Sequence, residues 1–172
     1  MYHQSVTTLS TELVTDSPCY RADMSAPGRH AAGVLLVNRA GHILLQLRDG
    51  NTAISPHQWA LVAGGVEADE SALEAAEREL FEETGLSKTT DWELLFEGVR
   101  PAFDGGQVLW TVFVGATPAR SSDIVVGEGR TIMFVDPRDV PSLDLGMSGA
   151  FFVPLFLESP QYSALLRDSN EC

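Results

Sequence analysis

The stretch GGVEADESALEAAERELFEETGL, residues 64–86, decides the fold. Residues 71–84 contain no glycine or proline and are filled with Ala, Leu, Glu and Arg, the strong helix formers. Gly85 stands where a left-handed C-cap is wanted, so a helix over 71–84 is predicted. Glu79, Glu82 and Glu83 fall within an arc of about 100° on that helix, because positions i, i+3 and i+4 share a face. Leu73, Ala76 and Leu80 fill the adjoining arc and offer it to a core. Three carboxylates on one face repel each other and weaken an isolated helix by a few tenths of a kcal/mol per pair. A hard divalent cation offsets that repulsion: Mg²⁺ takes a few carboxylates, several waters and phosphate oxygens, a set suited to phosphoryl chemistry. An acidic helix face taken alone is more often plain solvated surface, so its surroundings decide what it means.

Upstream, residues 31–38 read as a buried strand, 39–41 as a turn and 42–48 as a second β-rich run, which together make a hairpin. Residues 49–58, with Gly50, Asn51, Pro56 and His57, read as a loop. Residues 59–63 are short, apolar and strand-like, and Gly64 and Gly65 are expected to end them. Downstream, residues 92–99, 108–116 and 131–135 read as strands, the first two separated by the turn-rich 101–106. Residues 147–157 are apolar and predict a second helix covering one face of the sheet. No internal repeat appears, so strands and helices mix in a single α/β (α+β) body. Residues 1–29 are rich in Ser and Thr, carry Pro18 and Pro27, and read as an N-terminal extension.

At 172 residues and 44% hydrophobic, the chain is long enough for one buried core and short for two. Its 24 acidic and 11 basic side chains give a formal charge of −13. That charge repels nucleic-acid polymers and anionic membrane surfaces, so neither is an expected partner. It also opposes a small phosphorylated substrate, which then calls for divalent cations to neutralise the local carboxylates. Cys19 and Cys172 form neither a disulfide framework nor a zinc-ligand spacing. The first 29 residues lack the basic start and apolar core of a secretory signal, and no run approaches the roughly 18 apolar residues of a membrane span. A soluble, cytoplasmic protein is expected.

Counted from Gly64, five residues precede Glu70 and seven more precede Arg78-Glu79-Leu80-Phe81-Glu82-Glu83-Thr84-Gly85-Leu86. This resembles, without a gap, the box of the Nudix family: Gly-x5-Glu-x7-Arg-Glu-U-x-Glu-Glu-x-Gly-U, with U a bulky aliphatic residue. At average residue frequencies such a match arises by chance roughly once in a billion starting points. Trp59 also sits where family members often carry a tryptophan, and the two preceding strands fit the family's opening order. The resemblance implies an α/β/α sandwich on a mixed β-sheet, with a Nudix hydrolase domain over 30–160, the extension over 1–29 and a C-terminal tail over 161–172. It implies a metal-dependent hydrolase in which water cleaves a diphosphate linkage. Glu79, Glu82 and Glu83 would bind Mg²⁺ or Mn²⁺, with a carboxylate or a water on the metal as base. Arg78 would hold a catalytic glutamate in position, and Glu70 would brace the loop or act as an N-terminal helix charge. Gly64 and Gly65 would let the backbone approach metal or phosphates closely.

Two positions depart from the family pattern. Ala63 stands where a glycine is common, so the carbonyl often recruited by the metal would come from Ala63, where left-handed backbone is disfavoured. Asp69 replaces the glycine often found before Glu70. A further acidic ligand is expected from outside the box, with Glu128 the candidate and Asp104 the alternative.

The implied substrate is a small nucleoside di- or triphosphate derivative; an ADP-ribose or nucleotide-sugar pyrophosphatase is the second reading. A non-catalytic nucleotide-binding regulator with this fold is the third, though such members often lose box glutamates and none is missing here. The family's isomerase branch needs a core cysteine, for which Cys19 and Cys172 are poorly placed; residues 42–59 do not spell the coenzyme-A-type motif known elsewhere in the family. Trp59, Phe103 and Trp110 are candidates to stack on a base, although lone strand aromatics are usually core. His57 and Pro101 are weaker substrate pointers. Homodimers are common in the family.

Overall fold

The computed structural model describes residues 28–86, 91–126 and 131–170. In chain order these form β1 (His30–Asn38), β2 (Ile43–Leu47), β3 (Trp59–Ala60), β4 (Val62–Gly65), α1 (Ala72–Thr84), β5 (Glu93–Pro101), β6 (Gln107–Thr117), β7 (Thr131–Val135), α2 (Met147–Leu157) and α3 (Pro160–Asn170). β1 is the axis of the sheet. It runs parallel to β6 over its whole length, and β6 pairs antiparallel with the edge strand β5. Ala32, Val34, Leu35, Leu36 and Val37 are fully buried, as expected of a strand covered on both faces.

The other edge of β1 meets two partners in succession. Residues Ala31 to Val34 pair with β4, and Val37 pairs with Ile43 of β2. β2 then leaves β1, pairing with β3 at Gln46 and Leu47 and with β7 along its far edge. Residues 59–65 thus form a wedge where the sheet splits, half joined to β2 and half to β1. Leu61, between the halves, is buried, and Gln46 Nε2 donates to its carbonyl at 3.1 Å. That bond satisfies a main-chain acceptor in the interior. The expected single strand over 59–63 is therefore two short strands. Gly64 and Gly65 do not end it: they lie inside β4, opposite Ala32 and Ala31, with no positive φ.

The helices cover the sheet on both faces, giving the expected α/β/α sandwich on an open mixed sheet. On one face, Ala75, Ala76 and Leu80 of α1 pack against Ala32, Val34, Leu36, Val62, Ile132 and Phe134. On the other, Phe152, Val153 and Phe156 of α2 pack against Leu35, Val37, Leu61, Val112 and Val114. Each large side chain so buried contributes about 1.5–3 kcal/mol.

Most of the expected tail is helical. Leu165 of α3 belongs to the same core at 7% exposure, and Tyr162 donates from its hydroxyl to the Gly41 carbonyl at 2.9 Å while meeting Phe156 edge-on. Among the described residues, no helix is long and apolar enough to cross a membrane.

Candidate active site

The acidic helix is fixed at both ends by its own sequence. Ser71 adopts the extended backbone of an N-cap, its hydroxyl accepts from Glu74 N–H at 3.2 Å, and the Glu74 carboxylate accepts from Ser71 N–H at 2.8 Å. This reciprocal box satisfies two orphan donors of the first turn. At the other end Gly85 (φ 70°) takes the left-handed conformation, and its N–H reaches Phe81 O at 2.8 Å.

With the helix anchored, Glu79 turns onto the β4 backbone. Its carboxylate occupies the space that a Cβ on Gly64 would fill, so Gly64 is required by close approach rather than by a turn. Arg78 ties this carboxylate to the loop. It donates to Glu79 Oε1 at 2.7 Å, to both Glu70 oxygens at 2.8 and 3.2 Å, and to the Gly65 carbonyl at 3.0 Å. The fork on Glu70 is the bidentate geometry that makes arginine a positioning residue. The Arg78 guanidinium, followed by the Glu67 N–H, holds the Glu70 carboxyl below its ordinary range. Glu70 and Glu79 in turn push the Arg78 pKa up.

Glu82 is 56% exposed and touches Arg78 only at 3.4 Å, whereas Glu83 turns its Oε2 inward, shut off from solvent. A carboxylate oxygen is costly in such a position unless charge or hydrogen bonds compensate it. Hard oxygen donors at Glu79, Glu82 and Glu83 fit Mg²⁺ or Mn²⁺ in kind. Among the described residues, no three acidic groups converge into a finished cage, since Arg78 engages Glu79 while Glu82 faces outward. Glu128 lies outside the described residues.

A cavity of about 560 Å³ opens beside β4 on the α2 face. Ala63, Gly64, Gly65, Pro101, Phe103, Trp110 and Phe151 of α2 are among the residues that line it. Its size lies in the range of small-molecule sites.

Residues 27–154 match the NUDIX domain family. The chain belongs to that family. It is similar to an RNA pyrophosphohydrolase of Rhodopseudomonas palustris (strain HaA2), 29% identical over 135 residues that cover 69% of this chain and 80% of the relative. It is also similar to an RNA pyrophosphohydrolase of Agrobacterium fabrum, 33% identical over 104 residues, or 51% of this chain and 61% of the relative. Among solved structures, the MutT protein from Methanosarcina mazei Go1 shares the fold at a TM-score of 0.62 and 22% identity, covering 83% of this chain and 96% of that one.

Within the Nudix frame the structure brings together Arg78, Glu79, Glu70, Gly64 and Gly65, and places Phe103 and Trp110 in the adjoining cavity. Trp59 is elsewhere: it packs against the core, and its carbonyl accepts from Gly146 N–H at the start of α2. His57 lies against Gly50 in the loop, and Asp104 pairs with Arg29 at 2.8 Å. Both departures from the family pattern are accommodated. Ala63 is an ordinary extended strand residue, and its methyl faces Gly33, which has no side chain to collide with it. Asp69 adopts φ 72°, the left-handed conformation that a glycine takes freely and Asp tolerates. Sequence reasoning missed the cavity's cations Arg29, Arg48 and Arg100, which lie far apart in the chain and carry no motif.

Proposed function

We propose that this Nudix chain hydrolyses the diphosphate linkage of a small nucleoside diphosphate derivative, with Mg²⁺ or Mn²⁺ held by Glu79, Glu82 and Glu83. The observation that carries the reading is the seating of Glu79 on Gly64 under the grip of Arg78, at the edge of a cavity of small-molecule size. Ala63, Gly64 and Gly65 border that cavity, so a diphosphate lying against them meets main chain rather than side chains. When bound, the cation neutralises phosphate charge and lowers the pKa of water. Arg78 holds Glu79 at its post through the reaction, and Glu70 holds Arg78. Water attacks phosphorus, the bridging P–O bond breaks, and a box carboxylate accepts the proton. The Ala63 carbonyl and Glu128 are candidate further donors to the cation.

The relatives' names support a second reading, in which the diphosphate linkage belongs to an RNA. Against it stands the formal charge of −13, which disfavours a polyanion. One panel separates these readings: nucleoside triphosphates, ADP-ribose, nucleotide sugars and a 5′-triphosphorylated oligoribonucleotide, each with Mg²⁺ and with EDTA. EDTA-sensitive release of phosphate, pyrophosphate or nucleoside monophosphate from the small molecules is expected. Glu83→Gln should lower turnover about 10²- to 10⁴-fold with the fold intact; full activity in that variant sinks the assignment.

A further inference from the structure

We propose that Arg100 is a receptor for a second anionic group, so that the substrate carries a phosphate or carboxylate at the end remote from the scissile linkage. The inference deepens the hydrolase reading and rests on it only for the word substrate. In a chain of net charge −13, the cavity is lined by Arg29, Arg48, Arg100 and His30 and, among the described residues, by no Asp or Glu. Two of the arginines are occupied. Arg29 pairs with Asp104, fastening the segment before β1 to the β5–β6 turn. Arg48 donates to Ile54 O at 2.9 Å and to Thr52 Oγ1 at 2.7 Å, shaping its own loop.

Arg100 differs. Its Cζ lies 3.6 Å above the Phe151 ring, and among the described residues its side chain makes neither an ion pair nor a hydrogen bond. Stacking covers one face of the guanidinium and leaves its in-plane N–H groups as edge donors, the geometry that grips phosphate or carboxylate with two bonds. Phe151 is itself held by edge contacts to Phe96 and Phe152 at 5.6 and 5.0 Å, so the platform is built before any ligand arrives.

The position of Arg100 says which anion it meets. Gly65, Ala31, Trp110 and Gly98 form one row across four strands, roughly 14 Å at the usual strand spacing. Arg100 lies two residues beyond Gly98, on the same face. A diphosphate seated on Gly64 and Gly65 is therefore out of its reach, while Trp110 and Phe103 lie in the same cavity for a ring.

The test uses the full chain and matched pairs that differ in one anionic group: UDP-glucuronate against UDP-glucose for a carboxylate, and ADP-ribose 2′-phosphate against ADP-ribose for a phosphate. Calorimetric affinity and kcat/KM are measured for the wild type, Arg100→Gln and Arg100→Lys. At least one anionic member should bind about tenfold or more tightly than its neutral twin, a preference that Arg100→Gln abolishes and Arg100→Lys weakens. Equal affinity within both pairs, an unchanged preference in Arg100→Gln, or no binding of any member overturns the proposal. A mere packing role lowers the melting temperature of both variants without altering any preference. A binding preference that holds while the whole phosphoanhydride panel above resists turnover refutes the hydrolase reading and leaves the receptor standing.

Discussion

Glu70 shows how a residue outside the helix controls one inside it. It accepts the Arg78 fork with both oxygens and the Glu67 N–H with one, and Arg78 passes that order on to Glu79. Its pKa is depressed below 4.5 in the folded chain, so the folded state binds its proton less readily than the unfolded state does. The resulting stabilisation is complete above about pH 4.5 and is lost as pH falls through the lower, folded value. Glu70→Gln keeps the shape without the charge. Its melting temperature should lie below wild type at pH 7, and the gap should close as the pH drops below about 4.5; a constant gap from pH 7 to pH 3 would show that charge is not what Glu70 contributes. The box residues were legible because their spacing is fixed by one helix. The relief of Ala63 was not, because it depends on Gly33, thirty positions upstream and one strand away in the sheet.

At the scale of the element, α1 could be read to within a residue because helix formers fill residues 71–84 and a left-handed Gly85 stops them; the structure adds a Ser71–Glu74 capping box at the start. Ser71→Ala removes one half of that box, which costs about 1 kcal/mol. In a chain of this length that corresponds to a fall in melting temperature of roughly 2–4 °C. Scanning calorimetry checks the value, and an unchanged melt would mean that packing of Ala75, Ala76 and Leu80 fixes the helix start without its cap. α2 was legible from its apolar character, with Phe151, Phe152, Val153, Leu155, Phe156 and Leu157 outweighing Gly149 and Pro154 inside it. Residues 59–65 were not, because whether a short apolar run is one strand or two depends on its neighbours, and here it is shared between β2 and β1. The same dependence sets Trp59 against the core beside α2, where Gly149 approaches its carbonyl too closely to carry a side chain.

Across the whole molecule, the sandwich holds the cavity at one end and the α3 packing at the other. The cavity takes its lining from the start of β1, the end of β5 and the first turns of α2. α3 packs against the far end, with Tyr162 on the β1–β2 turn and Leu165 in the core. Composition hid this division: the cavity's arginines come from three separate strands or their flanks, and only the fold collects them. A chain ending at Glu158 tests it. It loses the buried Leu165 and the Tyr162–Gly41 bond, which together stabilise by about 2–4 kcal/mol on the usual burial and hydrogen-bond values. The melting temperature should fall by roughly 5–15 °C accordingly. Because α3 supplies no lining residue, kcat/KM should stay within about threefold of the full chain at a temperature where both are folded. Unchanged stability would make residues 161–172 the tail that the family resemblance implies. A collapse of turnover in a chain still folded would instead mean that α3 fixes the angle at which α2 presents Phe151 to the cavity, which would join the two ends into one unit.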